Sequence, residues 1–442
     1  MTVVVVIALF AAVQVLAGTL HVEKWGDDNA TCGAASDPCL SISQAIYNAN
    51  ANSTIQVGPG FYGDLNGDGD VTDAGEENAA GHNNCGFASA VVCIDKPGLK
   101  LESTLGARAT HITAEGGAYR RVVYITAGKV RFGKKNKGFT VEENGHDSGK
   151  PGRGVEFRGQ NIVIEAIVSS GNDGEGFYSS AYLFSQTGNQ LRYNRAVNNG
   201  GSGYYLTNNS GSLISHVTRF EDNTAEGNGS VGIYLYSQER VTVRRNKALR
   251  NGAAGIYIPS VGAGTTIQDN LAQGNGLAGL SVLLAHGETG IRVENNLAIG
   301  NGDLGIGITG PGKKIKNNVC IGNVYGGFHL TGHNPAFQDE FSGNLATTNQ
   351  QAGVWLHEDF NTVSNFKFQK NNIYGNDLAG GLNRGVVNET GTEIYLRKNF
   401  WGAASGPGAD PADNVRDDGA NSVTHTSPAK KPNKIKTKIG GF

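Results

Sequence analysis

The chain has 442 residues, 66 of them glycine, and a formal net charge of −2 at pH 7. A charge so close to neutral excludes a general field for nucleic acid or an anionic membrane. The glycine follows no G-x-y period, which excludes collagen; with abundant asparagine it suits a backbone that turns often through positive φ.

The first feature in chain order is an apolar run from Val3 to Leu16, shorter than a comfortable membrane span and ending in Val15-Leu16-Ala17. Residues 1–17 are expected to be a signal peptide cleaved before Gly18, leaving a secreted or periplasmic chain with no stable membrane span. Met1-Thr2 supplies no basic start, so an uncleaved anchor is the other reading. Cys32 with Cys39, and Cys85 with Cys93, are spaced for two local disulfides in an oxidising compartment. Spacing alone leaves the pairing open.

The stretch Asp64-Leu-Asn66-Gly-Asp68-Gly-Asp70-Val-Thr72-Asp73-Ala-Gly-Glu76 comes next. Oxygen-bearing side chains at its first, third and fifth positions, with glycine sixth, resemble an EF-hand-type or dockerin-like calcium loop. The twelfth position is Gly75, so Glu76, one residue late, is expected to supply the closing carboxylate. Ca2+ is therefore the expected cofactor, with Asp64, Asn66, Asp68, Asp70 (through its carbonyl) and Glu76 as ligands. A solvated acidic turn is the alternative.

Farther on, the sequence repeats. Asparagines 194, 223, 246, 270, 296, 318, 344, 372 and 399 stand 22 to 29 residues apart, with the frame N-x-A-x-x-N in the clearest copies. An apolar residue precedes most of them by three. A glycine and a short β-type run follow, as in Gly232-Ile-Tyr-Leu-Tyr236. A period of this length, holding short strands and turns but no helix, means one coil of a β-solenoid. Coils stack about 4.8 Å apart, so like residues form ladders in which buried Asn amides bond the backbone and each other. In this register Cys320 takes the slot filled by Ala196, Ala225, Ala248, Ala272, Ala298 and Ala346. It is expected to be a small core residue and not a nucleophile.

Alternation within the runs assigns faces. Two residues past the repeat glycines stand Tyr178, Tyr205, Tyr234, Tyr257, Ser281, Gly307, His329 and Trp355, flanked by apolar residues that should point inward. The row must then face outward. Aromatic faces with hydroxyl tips suit sugar rings, so Tyr178, Tyr205, Tyr234, Tyr257 and Trp355 are expected to bind substrate. Cross-strand stacking that merely stabilises the sheet is the alternative. His329 shares this row, His357 occupies the next outward row before Glu358 and Asp359, and His333 lies in the adjoining turn. A histidine beside carboxylates can act as general base or acid, the two roles that β-elimination of a uronic-acid polymer needs. His329 and His357 are the candidate catalytic residues.

Asn399-Phe-Trp-Gly-Ala-Ala-Ser-Gly-Pro-Gly408 resembles the closing motif of bacterial right-handed parallel β-helix proteins of the pectate-lyase-like superfamily. Residues 38–46 and 54–62 are similar to their opening motif. The resemblance implies an all-β, single-stranded right-handed parallel β-helix with an N-terminal capping helix, for which Ile42, Ala45, Ile46 and Ala49 have the spacing. Trp401 would cover the last coil. The expected divisions are a cap and opening motif over 18–62, the inserted calcium-type loop over 63–90, the β-helix over 91–408 and a C-terminal cap with basic tail over 409–442.

This superfamily hosts lyases, hydrolases, epimerases and non-enzymes. The Asp-Pro-His-Asp motif of alginate epimerases, the aspartate-rich signatures of polygalacturonases and the arginine signature of pectate lyases are not found. The expected protein is a secreted, monomeric, carbohydrate-active or carbohydrate-binding β-helix whose partner is a polysaccharide or cell-surface glycan. If it is an enzyme, a polysaccharide lyase acting on a uronic-acid-containing polymer is expected. The alternatives are a non-catalytic surface or adhesion rod, and a periplasmic metal-handling β-helix like those that help mature nitrous-oxide reductase. The last would need His329, His333 and His357 to converge on copper.

Overall fold

The computed structural model describes residues 17–81, 89–147, 149–181, 187–208, 217–236, 240–284, 289–334, 336–357, 365–390, 393–409, 412–417 and 423–435. Nearly all of the expected signal peptide, as well as Cys85, Glu358 and Asp359, lies outside the described residues.

Among these residues the chain winds into three parallel sheets of 15, 13 and 12 strands, and successive coils add one strand to each. The fold is an all-β parallel β-helix. Parallel pairing already joins Thr19–Val22 to Thr54–Val57 and still joins Ile394–Arg397 to Val423–Thr426, so the coils extend past 91–408 on both sides. Like residues stack on like. In the 13-stranded sheet Phe177, Tyr204, Ile233, Ile256 and Leu280 are register partners in succession, and all are buried. Burying such side chains contributes roughly 1.5–3 kcal/mol each.

Sharp corners make the winding possible. The residue before each ladder asparagine is left-handed: Tyr193, Asp222, Arg245, Asp269, Asn295 and Asn317 have φ between 54° and 58°. That conformation costs a non-glycine residue about 1–2 kcal/mol, which the ladder offsets. Asn246 donates from its backbone N and its Nδ2 to Asn270 Oδ1 (2.9 and 3.0 Å), and Nδ2 also reaches the Phe220 carbonyl at 2.9 Å. A second ladder runs five residues later, through Asn199, Asn228, Asn251 and Asn275, and ends with Asn376 donating to Asp413.

One expected ladder position is corrected. Asn344 donates to Asn371, not Asn372, and Asn371 donates in turn to Asn399. The inward Phe368 pairs with Phe341 and so sets the register, which delivers Ile373 to the alanine slot beside Ala346. Asn372 turns outward and exchanges hydrogen bonds with the Asn433 backbone (2.7 and 2.9 Å).

From Asn194 to Val354 coil length varies on one side only. Ten residues separate Asn194 from Tyr204, Asn270 from Leu280, Asn318 from Phe328 and Asn344 from Val354. From those inward residues to the next ladder asparagine the distance ranges from 12 residues (Ile306 to Asn318) to 19 (Tyr204 to Asn223). Over these coils the slack therefore falls in the connection that leaves the 13-stranded sheet; the next coil differs, with 15 residues from Asn371 to Val386.

The expected helix forms as Ile42–Asn48 (α1), capped by Ser41, whose side chain accepts from the Gln44 N–H. Ile42, Ala45, Ile46 and Ala49 are buried against the core, and Trp401 is buried at the other end. Cys320 sits between Ala298 and Ala346 with no exposure, and burial pushes its thiol well up. Cys32 bonds Cys39. Cys93 is disulfide-bonded too, its expected partner Cys85 lying outside the described residues. Among the described residues no helix is long and apolar enough to cross a membrane.

Candidate functional site

The outward row is continuous in register: Tyr124, Glu156, Tyr178, Tyr205, Tyr234, Tyr257, Ser281, Gly307, His329 and Trp355 are successive partners on the outer face of the 13-stranded sheet. The four expected tyrosines are half-buried. Ring centroids are 5.7 Å apart for Tyr178 and Tyr205, 4.6 Å for Tyr205 and Tyr234, and 5.5 Å for Tyr234 and Tyr257, the last pair edge to face. The row then dips. Gly307 is buried, and a Cβ there would be in ordinary contact with Leu304 at 3.6 Å and Ser281 Oγ at 3.9 Å.

Beyond the dip the expected histidine pair does come together. His329 and His357 have ring centroids 5.6 Å apart at 76°, and Trp355, the partner of His329, is stacked by Tyr325 at 5.6 Å. Burial, and the neighbouring His357, hold the His329 imidazole below its ordinary pKa. Trp355 Nε1 is buried with no partner among the described residues.

His333 does not join them. It is buried with Nδ1 2.8 Å from Asp339 Oδ2, which also pairs with the fully buried Lys313 Nζ at 2.9 Å. Lys313 further donates to the carbonyls of Gly310 and Thr331, so this trio ties the turn to its neighbouring coil. The convergence of His329, His333 and His357 that the metal-handling alternative would need is therefore not formed. Among the described residues the only trio of His, Cys, Asp or Glu ligand atoms within 4.8 Å of one another is Asp28, Cys32 and Cys39, and the disulfide occupies both sulfurs.

At the other end of the row lies a cluster that sequence reasoning missed. Glu156, fully buried, accepts from Arg121 Nε at 2.8 Å and Arg153 Nη1 at 3.0 Å, and lies 2.9 Å from Arg158 Nη2. Burial pushes its carboxyl up, but the Arg121, Arg153 and Arg158 guanidiniums together hold it below the ordinary value. Arg153 also pairs with Glu175 at 2.9 Å and lies over the Tyr178 ring. Arg121 lies over Tyr124 and leaves Nη1 buried without a partner among the described residues. Three guanidiniums against two carboxylates leave this end cationic. The available signal was the alternation of Glu156 and Arg158 with the inward Val155 and Phe157. On the separate 12-stranded sheet, a recess lined by Arg108, His111, Thr140 and Arg195 faces away from the row, with His111 Nδ1 2.6 Å from Glu142.

The acidic loop is ordered by its own backbone. Asp64, fully buried, accepts from the N–H groups of Gly67 (2.6 Å) and Gly69 (2.9 Å) and from the Tyr119 hydroxyl (3.0 Å). Asn66, Asp68 and Asp70 accept in turn from the N–H groups of Asp68, Asp70 and Thr72. Glu76 is 3% exposed; its Oε1 accepts from the Leu65 N–H at 2.8 Å, while Oε2 is buried with no partner.

A family model described as a right handed beta helix region matches residues 154–296 and 218–373. Among solved structures the chain is similar to the Azotobacter vinelandii mannuronan C-5 epimerase AlgE6 A-module, at 18% identity over 89% of this chain and 96% of that one, with a TM-score of 0.52. It is also similar to pectate lyase Pel9A, at 15% identity over 80% and 79% of the two chains, with a TM-score of 0.45. The catalytic unit of a GH87 α-1,3-glucanase from Streptomyces thermodiastaticus strain HF3-3 has 14% identity over 90% and 66%, with a TM-score of 0.46. No curated protein matches the sequence. At such identities the likeness concerns the fold.

Proposed function

This chain is a right-handed parallel β-helix of the pectate-lyase-like superfamily, and we propose that it is an exported protein that binds an acidic polysaccharide lengthwise along the tyrosine row and cleaves it by β-elimination at His329 and His357. The observation that carries this reading is the unbroken outward register from Tyr178 to Trp355. The half-buried rings of Tyr178, Tyr205, Tyr234 and Tyr257, on four successive coils, offer amphipathic aromatic surface for sugars, and the surplus guanidinium charge at their end complements a polymer of carboxylates.

For elimination, a base removes the proton α to the uronate carboxylate while the glycosidic C–O bond on the β-carbon breaks and its oxygen takes a proton. His329, kept neutral by burial, is suited to accept the first proton, and His357 to deliver the second. The arginine cluster stands seven coil steps away, about 34 Å, so it anchors the polymer and does not neutralise the reacting carboxylate. That separation favours a second reading, a glycan-binding surface protein without catalysis.

Purified protein incubated with a panel of uronate and neutral polysaccharides separates the two. An ultraviolet-absorbing unsaturated product, lost in both His329→Ala and His357→Ala, supports lyase chemistry. Cleavage that persists in those variants sinks the assignment of the histidines. Binding without product supports the second reading, and no binding to any polymer removes both.

A further inference from the structure

We propose that the loop Asp64–Glu76 is a divalent-cation site, taking calcium, that clasps the N-terminal coils together; the inference is independent of the carbohydrate reading. The donors are all hard oxygens: the side chains of Asp64, Asn66, Asp68 and Glu76 and the Asp70 carbonyl. That set suits calcium and not a soft transition metal. Gly67 and Gly69 adopt positive φ (75° and 87°), which bends the chain back around the carboxylates.

The observation that points to a ligand is separate from the acidic composition. Glu76 is almost wholly buried and turned into the loop, since its Oε1 accepts from Leu65, the second residue of the loop. Its Oε2 has no hydrogen-bond donor among the described residues. A buried carboxylate oxygen with nothing to bind costs about 1–3 kcal/mol, more when charged. Two acidic groups withdrawn from water side by side are stabilised by a shared cation. The carboxylates stand farther apart than a closed cage, so binding must draw the exposed Asp68 inward.

The loop is positioned to act on its surroundings. The next residue, Glu77, is buried with Oε2 accepting from the Ser43 N–H (2.9 Å) and hydroxyl (3.1 Å) and Oε1 from the Ile42 N–H (3.2 Å). It therefore holds the first turn of α1. On the far side, the Tyr119 hydroxyl bonds Asp64 just before strand Arg121–Ile125. A cation between Asp64 and Glu76 thus fixes both the helix anchor and the following coil.

The test uses the full chain stripped of metal and titrated with calcium or terbium. Calcium raises the melting temperature, because it binds the folded state alone. Terbium emission excited through tyrosine appears, with Tyr119 as the near donor, and calcium displaces it. Asp68→Ala removes an exposed donor without touching the core; it melts like the parent in chelator and needs about tenfold more calcium, or greater, for the same shift. A melting temperature unmoved by saturating calcium overturns the proposal. Equal calcium responses in the parent and Asp68→Ala place the ion elsewhere and overturn it as well.

Discussion

The Arg153 guanidinium carbon lies 3.4 Å from the centroid of the Tyr178 ring. The first aromatic platform of the row is thus covered on one side by a cation that is itself held by Glu156 and Glu175. A stacked cation of this kind is worth about 0.5–2 kcal/mol depending on its exposure. Arg153→Ala is expected to weaken binding of a uronate polymer roughly tenfold, equivalent to about 1.4 kcal/mol. Affinity for a neutral polymer should change much less. Calorimetric titration of both polymers checks this; equal losses would assign Arg153 to packing.

Acid should bring out the histidine pair. His329 has a lowered pKa in the folded chain, from burial first and His357 second. The unfolded chain therefore binds the proton more readily. The contribution of His329 to stability is fully present above pH ~6.5 and declines as pH falls through the lower folded value. Denaturant melts of the parent and His329→Gln, compared at neutral and mildly acidic pH, should converge on acidification. Parallel curves would mean that His329 titrates like a free histidine.

The end of the second ladder should respond in the opposite direction. Asp413 occupies an asparagine position and is pushed up to about 6, mainly by burial. Its folded pKa exceeds the unfolded one, so its contribution is fully present below the unfolded value and is lost as pH rises through about 6. Asp413→Asn should be more stable than the parent at pH 7, by up to roughly 3 kcal/mol, and no more stable near pH 4. A gain that is the same at both values would contradict a buried acid.

Neighbouring asparagines separate ladder from surface. Asn371→Ala removes the acceptor for two donors of Asn344 and a donor to the Phe341 carbonyl. It should cost about 3 kcal/mol or more. Asn372→Ala loses only the contacts to Asn433 and should cost under about 1 kcal/mol. Equilibrium unfolding of the two variants decides which residue carries the register.

Much of the coil was legible because its two periods are written in residue types. The N-x-A-x-x-N frame marks the corners, and the alternation in runs such as Gly232–Tyr236 marks the faces, so Cys320 and the tyrosine row could be placed before any coordinates. Two adjacent asparagines at 371 and 372 are ambiguous until Phe368 is known to point inward. The arginine cluster was hidden for a different reason. Residues 121–158 precede the clear frames, and Glu156 is buried only because guanidiniums from three places close over it. The direction of His333 was not legible because a turn position carries no face; it depends on Lys313 and Asp339.

The uneven coil lengths have a consequence for how this molecule could be remodelled. Because ten residues lead from ladder corner to floor in every coil from Asn194 to Val354, while the path out of the floor ranges from 12 to 19, the rim beside the aromatic row can be lengthened or trimmed there without shifting any rung. The spacing of the rings and the height of the bank beside them are independent design variables. Grafting connections between coils is then a route to new ligand selectivity that leaves the scaffold intact.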